Sequence, residues 1–534
     1  MLTRPRLLSM ATVCGVTLTL LAGPLAAATL PNASAVREIS RDNLACPSND
    51  RTTNDTACQK DTEPEQDIGI NPTNPNNLVG VFQMGRYANG GAVNIGWSTS
   101  LDGGKTWPYK GSAPGLTIGV TSKDSDGTGP PYERSSDPVV AFDRKHHRVY
   151  LNGIGVSVFG CAVYCTSALT VNISKDNGKA FGAPVIVHEN AENPQANGSW
   201  KFNDKNWITV DNNPNSPHYG RAYVVWDQVT CPPVDCSTIP VSQPIVLKYS
   251  DDGGKTWHPN SPIQATNAQP TAAFEEIGVQ PVVLPNGHIV IVYADVQAGL
   301  YTFFGSFKAI RSTDGGQTWS APTTVAPADA FAEEGYNLRA PNVPSAFVRG
   351  KTIYVGYHHL PADSPDPPTA NDIFLTKSTD EGQTWSPPED VTIADPLMDH
   401  FTPDIAVAGG MVHVTYRSHL PASVDASSEV AAVYLPVRIA PSSPFFVPGT
   451  PITLKVSDAN FAAFTTMGAF KFFGDYAGIV AANCIAHPIW GQSQEFQNQS
   501  DNDTNTHERA FSARVRYANN CETREGGGEG GGDD

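Results

Sequence analysis

Positive charge is what this chain has least of. Its 534 residues carry 35 Lys and Arg against 53 Asp and Glu, for a formal net charge of −18. A surface that acidic repels phosphate groups, which excludes nucleic acid and anionic membranes as partners. Long apolar runs are also missing. Beyond the first 28 residues no segment is long and apolar enough to span a bilayer, so no integral membrane segment is expected. Charged residues of either sign make up only 16% of the chain, whereas Gly (47) and Pro (44) are abundant. Gly and Pro supply the dihedral angles that turns need, so this balance suits an all-β protein.

The ends differ from the body. Arg4 and Arg6 precede an apolar run from Leu7 to about Leu25, which is followed by Ala26-Ala27-Ala28. A short basic region, an apolar core and small residues are the pattern of a secretory signal peptide cleaved after Ala28. Eight cysteines follow it, an even number, which in an exported chain reads as disulfides. Proximity favours Cys46–Cys58, Cys161–Cys165, Cys231–Cys236 and Cys484–Cys521. A metal site is the rival reading, but no His stands at zinc-finger distance from these pairs. The Gly- and Glu-rich stretch 522–534 reads as a flexible tail.

One motif recurs five times. It runs Ser100-Leu-Asp102-Gly-Gly104-Lys-Thr106-Trp107 in its first copy and returns around Asp176, Asp252, Asp314 and Asp380, at spacings of 74, 76, 62 and 66 residues. This is the Asp box, S-x-D-x-G-x-T-W. Its Asp can accept from turn N–H groups, its Gly can take a positive φ, and its ring can be buried between sheets. The second copy has Ala180 in place of Thr and Phe181 in place of Trp. These residues read as structural rather than catalytic.

Between the boxes lie pairs of short alternating apolar segments, a strand pattern. First strands begin near residues 67, 137, 206, 278, 342, 404 and 475. They predict a β-propeller with seven blades favoured and six, with the last module as an appendage, as the alternative. The expected organisation is a signal peptide over 1–28, a polar N-terminal segment over 29–64, a propeller over 65–521 and the tail.

The five boxes and intervening strand pairs, over roughly residues 65–515, resemble the Asp-box, or BNR-repeat, sialidase-like superfamily of glycan-cleaving and glycan-binding propellers. The resemblance implies carbohydrate or a glycoconjugate as partner. Members with sialidase activity are expected to carry Phe/Tyr-Arg-Ile/Leu-Pro before the first box. This chain has Met84-Gly-Arg86-Tyr87 there instead.

In such a blade the boxes and the loops that lead into first strands emerge on opposite faces, and the loops here are rich in charge. Glycoside cleavage needs an acid for the leaving oxygen and a second group as base or nucleophile. Asp137, Asp204 and Glu276 are the candidate catalytic carboxylates, and Arg134, Arg339 and Arg417 the candidate ligands for an anionic sugar. Tyr416 reads as packing. The pairs His146-His147 and His358-His359 cannot each chelate together from a strand, because neighbours point to opposite faces. No metal site and no cofactor are expected. The nearest hints of calcium, Asp124–Gly129 and Asp501–Asn505, do not complete an EF-hand spacing. Two functions remain open: a secreted sialidase-like glycoside hydrolase, and a non-catalytic glycan- or surface-binding module.

Overall fold

The computed structural model describes residues 32–40, 58–59, 62–87, 90–117, 132–157, 166–190, 199–231, 242–266, 275–298, 302–331, 338–361, 370–392, 398–419, 430–456, 471–494 and 507–518. They contain strands and no helix, all within the compact unit Pro31–Asp534. The strands form seven consecutive antiparallel modules of four core strands each. Their first strands are Asp67–Asn71, Arg134–Asp143, Trp200–Val210, Glu275–Val283, Ser345–Arg349, Asp399–Ala408 and Gly478–Ala482. Modules one and two share one nine-stranded sheet through a single bridge, Ala92 to Ser135. In module seven the outermost strand is Asn32–Glu38, which pairs with the C-terminal strand His507–Arg516. The segment read as a polar lead-in thus contributes a strand that ties one end of the chain to the other.

Each module is half-finished alone, because its apolar faces are covered only by its neighbours. Trp226 and Val224 of module three pack with Tyr150, Ile154 and Leu169 of module two. Val290 and Phe307 pack with Val355 and Tyr357, and Ile405 and Val414 with Ile373 and Leu375. Equivalent cores lie between the remaining neighbours, and Ile489 and Ala510 of module seven pack with Ile68, Leu78 and Phe82 of module one. The fit is tight. A Cβ on Gly153 would stand 2.2 Å from Ile95 of the preceding module. Residues from all seven first strands, among them Ile68, Val140, Thr209, Val282, Val348, Ile405 and Ile479, line one cavity of about 550 Å³.

The boxes fold as their residue types require. In the first, Lys105 N and Thr106 N donate to Asp102 Oδ1 at 3.0 and 2.9 Å, Thr106 Oγ1 donates to Oδ2 at 2.7 Å, and Gly104 N donates to Ser100 Oγ at 2.9 Å. The third and fourth repeat this set. The donors outweigh the slight burial of the carboxylates and hold Asp252 and Asp314 down at about 2. In the second copy Ala180 N still donates to Asp176 at 3.1 Å, with no hydroxyl to follow.

Register places the boxes and the starts of the first strands at opposite ends of a sheet. In module two, Ser135 at the start of the first strand faces Gly155, and Gly155 faces Ala168. Ser174, which opens the box, faces Val149 at the other end.

Four of the seven first strands share one irregularity near their start. The register shifts between Ser136 and Val139, Asp204 and Trp207, Ile277 and Gln280, and Phe401 and Asp404. Each shift is a β-bulge with a left-handed residue: Asp137 (φ 51°), Lys205 (φ 43°), Gly278 (φ 71°) and Thr402 (φ 49°). Only at Gly278 is that conformation free of steric cost. At the others it costs on the order of 1–3 kcal/mol, which the surrounding structure must offset.

Side chains on the first strands latch neighbouring modules. Asp67 accepts from Val140 N at 2.8 Å, Ser345 from Ile405 N at 3.1 Å, and Asp404 from Ile479 N at 2.7 Å. Burial raises Asp67 to about 6 and Asp404 to about 7.

Candidate functional site

Two of the four bulges carry a charged residue, Asp137 in module two and Lys205 in module three. Glu65 (φ 56°) precedes the first strand of module one by the same two residues that separate Asp137 from Val139 and Lys205 from Trp207. Three successive modules thereby turn Glu65, Asp137 and Lys205 toward one another. Asp204 arrives beside Lys205, and Asp475 comes from the segment before the first strand of module seven.

Lys205 is the hub. Its Nζ is hydrogen-bonded to Asp475 and lies 3.8 Å from Asp137 Oδ2. Its own N–H donates to Asp204 Oδ1 at 3.0 Å. Glu65 Oε2 accepts from Asp137 N at 3.1 Å and from Gln83 Nε2, while Ser136 Oγ donates to Asp137 Oδ1 at 2.6 Å. Tyr476 closes one side, its hydroxyl donating to Pro138 O at 3.1 Å and its ring meeting Trp207 edge-on at 5.7 Å. Lys205, Asp475 and Tyr476 also line a cavity of about 20 Å³, enough for about one water.

Four carboxylates around one ammonium cannot all ionise in a buried site. Burial, then the Asp137 carboxylate, and also Asp475, push Glu65 up to about 8, against the pull of Lys205. Burial and then Asp137 raise Asp204 to about 6. Lys205 is held above its ordinary value, because Asp475, Asp137, Asp204 and Glu65 together outweigh the cost of its burial. The cluster therefore holds Glu65 protonated at neutral pH in company with Asp204, which gives up its proton at lower pH, the kind of separation acid–base catalysis uses. Asp137 Oδ2 is buried and, among the described residues, accepts no hydrogen bond.

Of the residues expected from sequence, Asp137 and Asp204 meet in this cluster. Glu276 lies in a separate one: it is half-buried, accepts from Thr266 Oγ1, and faces Asp295 across the ladder. Burial, with Asp295 adding to it, raises Glu276 to about 7.

The arginines are engaged elsewhere. Arg134 donates to Gly90 O at 3.0 Å and stacks 4.1 Å from the Tyr87 ring centre. Arg417 donates to Gly491 O at 3.1 Å and Phe473 O at 3.2 Å and covers the Phe473 ring. Burial lowers Arg417 to about 10, against the pull of Glu508. The side chain of Arg339 lies outside the described residues, and its backbone pairs with Phe472. Tyr416 is buried against His400.

His146 Nδ1 meets Asp143 at 2.7 Å, whereas His358 is buried and His359 turns to Asp329 O. No group of three or more His, Cys, Asp or Glu among the described residues is placed to hold a metal, and both calcium-like loops lie outside them. Each expected disulfide has at least one cysteine outside them as well. No helix among the described residues is long and apolar enough to cross a membrane.

Sequence reasoning overlooked Glu65. Its signal was its place two residues before the first strand of module one, the spacing at which Asp137 and Lys205 precede Val139 and Trp207.

Comparison with known proteins agrees with the repeats. Residues 120–342 match the BNR repeat-like domain family. A sialidase of Bacteroides fragilis is 27% identical over 235 residues, 40% of this chain and 37% of the relative, so the match spans little over a third of that protein. Among solved structures, the intramolecular trans-sialidase of Ruminococcus gnavus aligns over 68% of this chain and 91% of its own at 15% identity and a TM-score of 0.40. The α-L-arabinanase of Penicillium chrysogenum aligns over 72% and 94% at 15% identity and a TM-score of 0.42. With its five Asp boxes and its match over residues 120–342, the chain carries BNR-type repeats and is similar, over part of its length, to a bacterial sialidase.

Proposed function

We propose that this chain is a secreted glycoside hydrolase, extracellular or periplasmic, built as a seven-bladed β-propeller. Its active site would lie on the face opposite the Asp boxes. Cores shared between all successive modules, and a cavity lined by all seven first strands, support the propeller. The Glu65–Asp137–Asp204–Lys205–Asp475 cluster is the observation that carries the enzymatic reading.

Glu65, raised to about 8, would give its proton to a leaving glycosidic oxygen. Asp137, whose Oδ2 accepts no hydrogen bond among the described residues, would act as base or nucleophile. Lys205 orients Asp137 and Asp475. The test is product analysis after incubating the mature protein with a mixed glycan panel, followed by Glu65→Gln and Asp137→Asn on any substrate that responds. Activity that survives both replacements removes the assignment. A ligand that binds saturably and is never cleaved would instead establish a binding module.

A further inference from the structure

We infer that the sugar accepted at this site carries no carboxylate. The inference rests on the proposed hydrolytic site and adds the charge class of its substrate. An anionic sugar needs a cation with its donors to spare, and guanidinium does this best because it pairs bidentately. The two described arginines named for that role are turned away from such work. Arg134 is spent on Gly90 O and the Tyr87 face, and Arg417 on two backbone carbonyls and the Phe473 face. Arg86 donates to Gln83, whose amide serves Glu65.

Lys205, the cation in the middle of the cluster, is already outnumbered. Asp475 holds its ammonium, Asp137 stands at 3.8 Å, and Asp204 accepts from its backbone N–H. A substrate carboxylate would add a further negative charge to this set in a desolvated place, where like charges repel most strongly. Asp137 Oδ2, itself buried, meets the Lys205 ammonium only at 3.8 Å and accepts no hydrogen bond among the described residues, so it can still take a donor. A sugar hydroxyl can supply one, and an ionised carboxylate cannot.

The deciding experiment uses the mature protein and paired substrates that differ only in charge: polygalacturonate and its carboxyl-reduced form, and sialyllactose and its carboxyl-reduced form. Arabinan and galactan are added as further uncharged members. Product release is followed by mass spectrometry. The expected result is release from uncharged members at least about tenfold faster than from any carboxylate-bearing one. Cleavage of an acidic member at an equal or greater rate would overturn the inference while leaving the hydrolase standing. A panel with no cleavage at all would remove the hydrolase reading, and this inference with it.

Discussion

Both ends of the sheets are rich in acidic side chains, yet the two ends hold them in opposite states. At the box end, Asp252 and Asp314 lie near the surface and collect backbone and hydroxyl donors, which keep them ionised down to about pH 2. At the other end Glu65 and Asp204 are enclosed with like charges, and burial drives them up to about 8 and 6. Residue type is shared, so the difference lies in the surroundings. Donors without burial make a staple, whereas burial with too few donors makes a reservoir of protons.

Removing the reservoir should cost most. Glu65→Gln and Asp137→Asn are each expected to lower kcat by about a hundred- to ten-thousandfold on a responding glycan, with the circular dichroism spectrum unchanged. If either variant retains full turnover, the contrast between the two ends has no catalytic meaning.

The next largest effect is on the pH dependence of stability, and it has opposite signs at the two ends. Glu65 is raised from 4.5 to about 8, so between these values the unfolded chain has released a proton that the fold retains. The wild type should therefore lose stability relative to Glu65→Gln as pH rises through that window. Asp252 is lowered from 3.8 to about 2, so its contribution is present above about pH 4 and lost as pH falls toward 2. Asp252→Asn should flatten the acid limb alone. Urea midpoints measured across pH for the three proteins check both signs.

A smaller effect is expected from Asp252→Asn at neutral pH, a drop in Tm of about 1–2 °C, because an amide oxygen is a weaker acceptor for the donors of Lys255 and Thr256. The smallest change runs the other way. Ala180→Thr should restore to the second box the hydroxyl that its Asp176 lacks, raising stability by about 0.5–1 kcal/mol, read by calorimetry. A loss of stability there would mean that the boxes are not interchangeable staples.

Much of the scaffold was legible because it repeats. Every box marked its own turn, and the alternating segments near residues 67, 137, 206, 278, 342, 404 and 475 all fall at or beside observed first strands. The N-terminal strand Asn32–Glu38 was not legible. It lacks a partner nearby in the chain, and its pairing with Arg516 and its neighbours is a contact across almost the whole sequence. Arg134 and Arg417 were legible as charges at the right end of their strands, but their direction was not. Nearby carbonyls and rings captured both guanidinium groups, and such capture depends on how strands from different modules stack.

The sequence by itself determined the all-β class, the repeat and the placement of acidic residues before the first strands, because local turn chemistry and alternation depend only on neighbours in the chain. Tertiary structure alone decided which of those acids meet. Glu65, Asp137, Lys205 and Asp475 are drawn from modules one, two, three and seven, and the raised values of Glu65 and Lys205 depend on distance and on the exclusion of water, neither of which exists until the modules pack against one another.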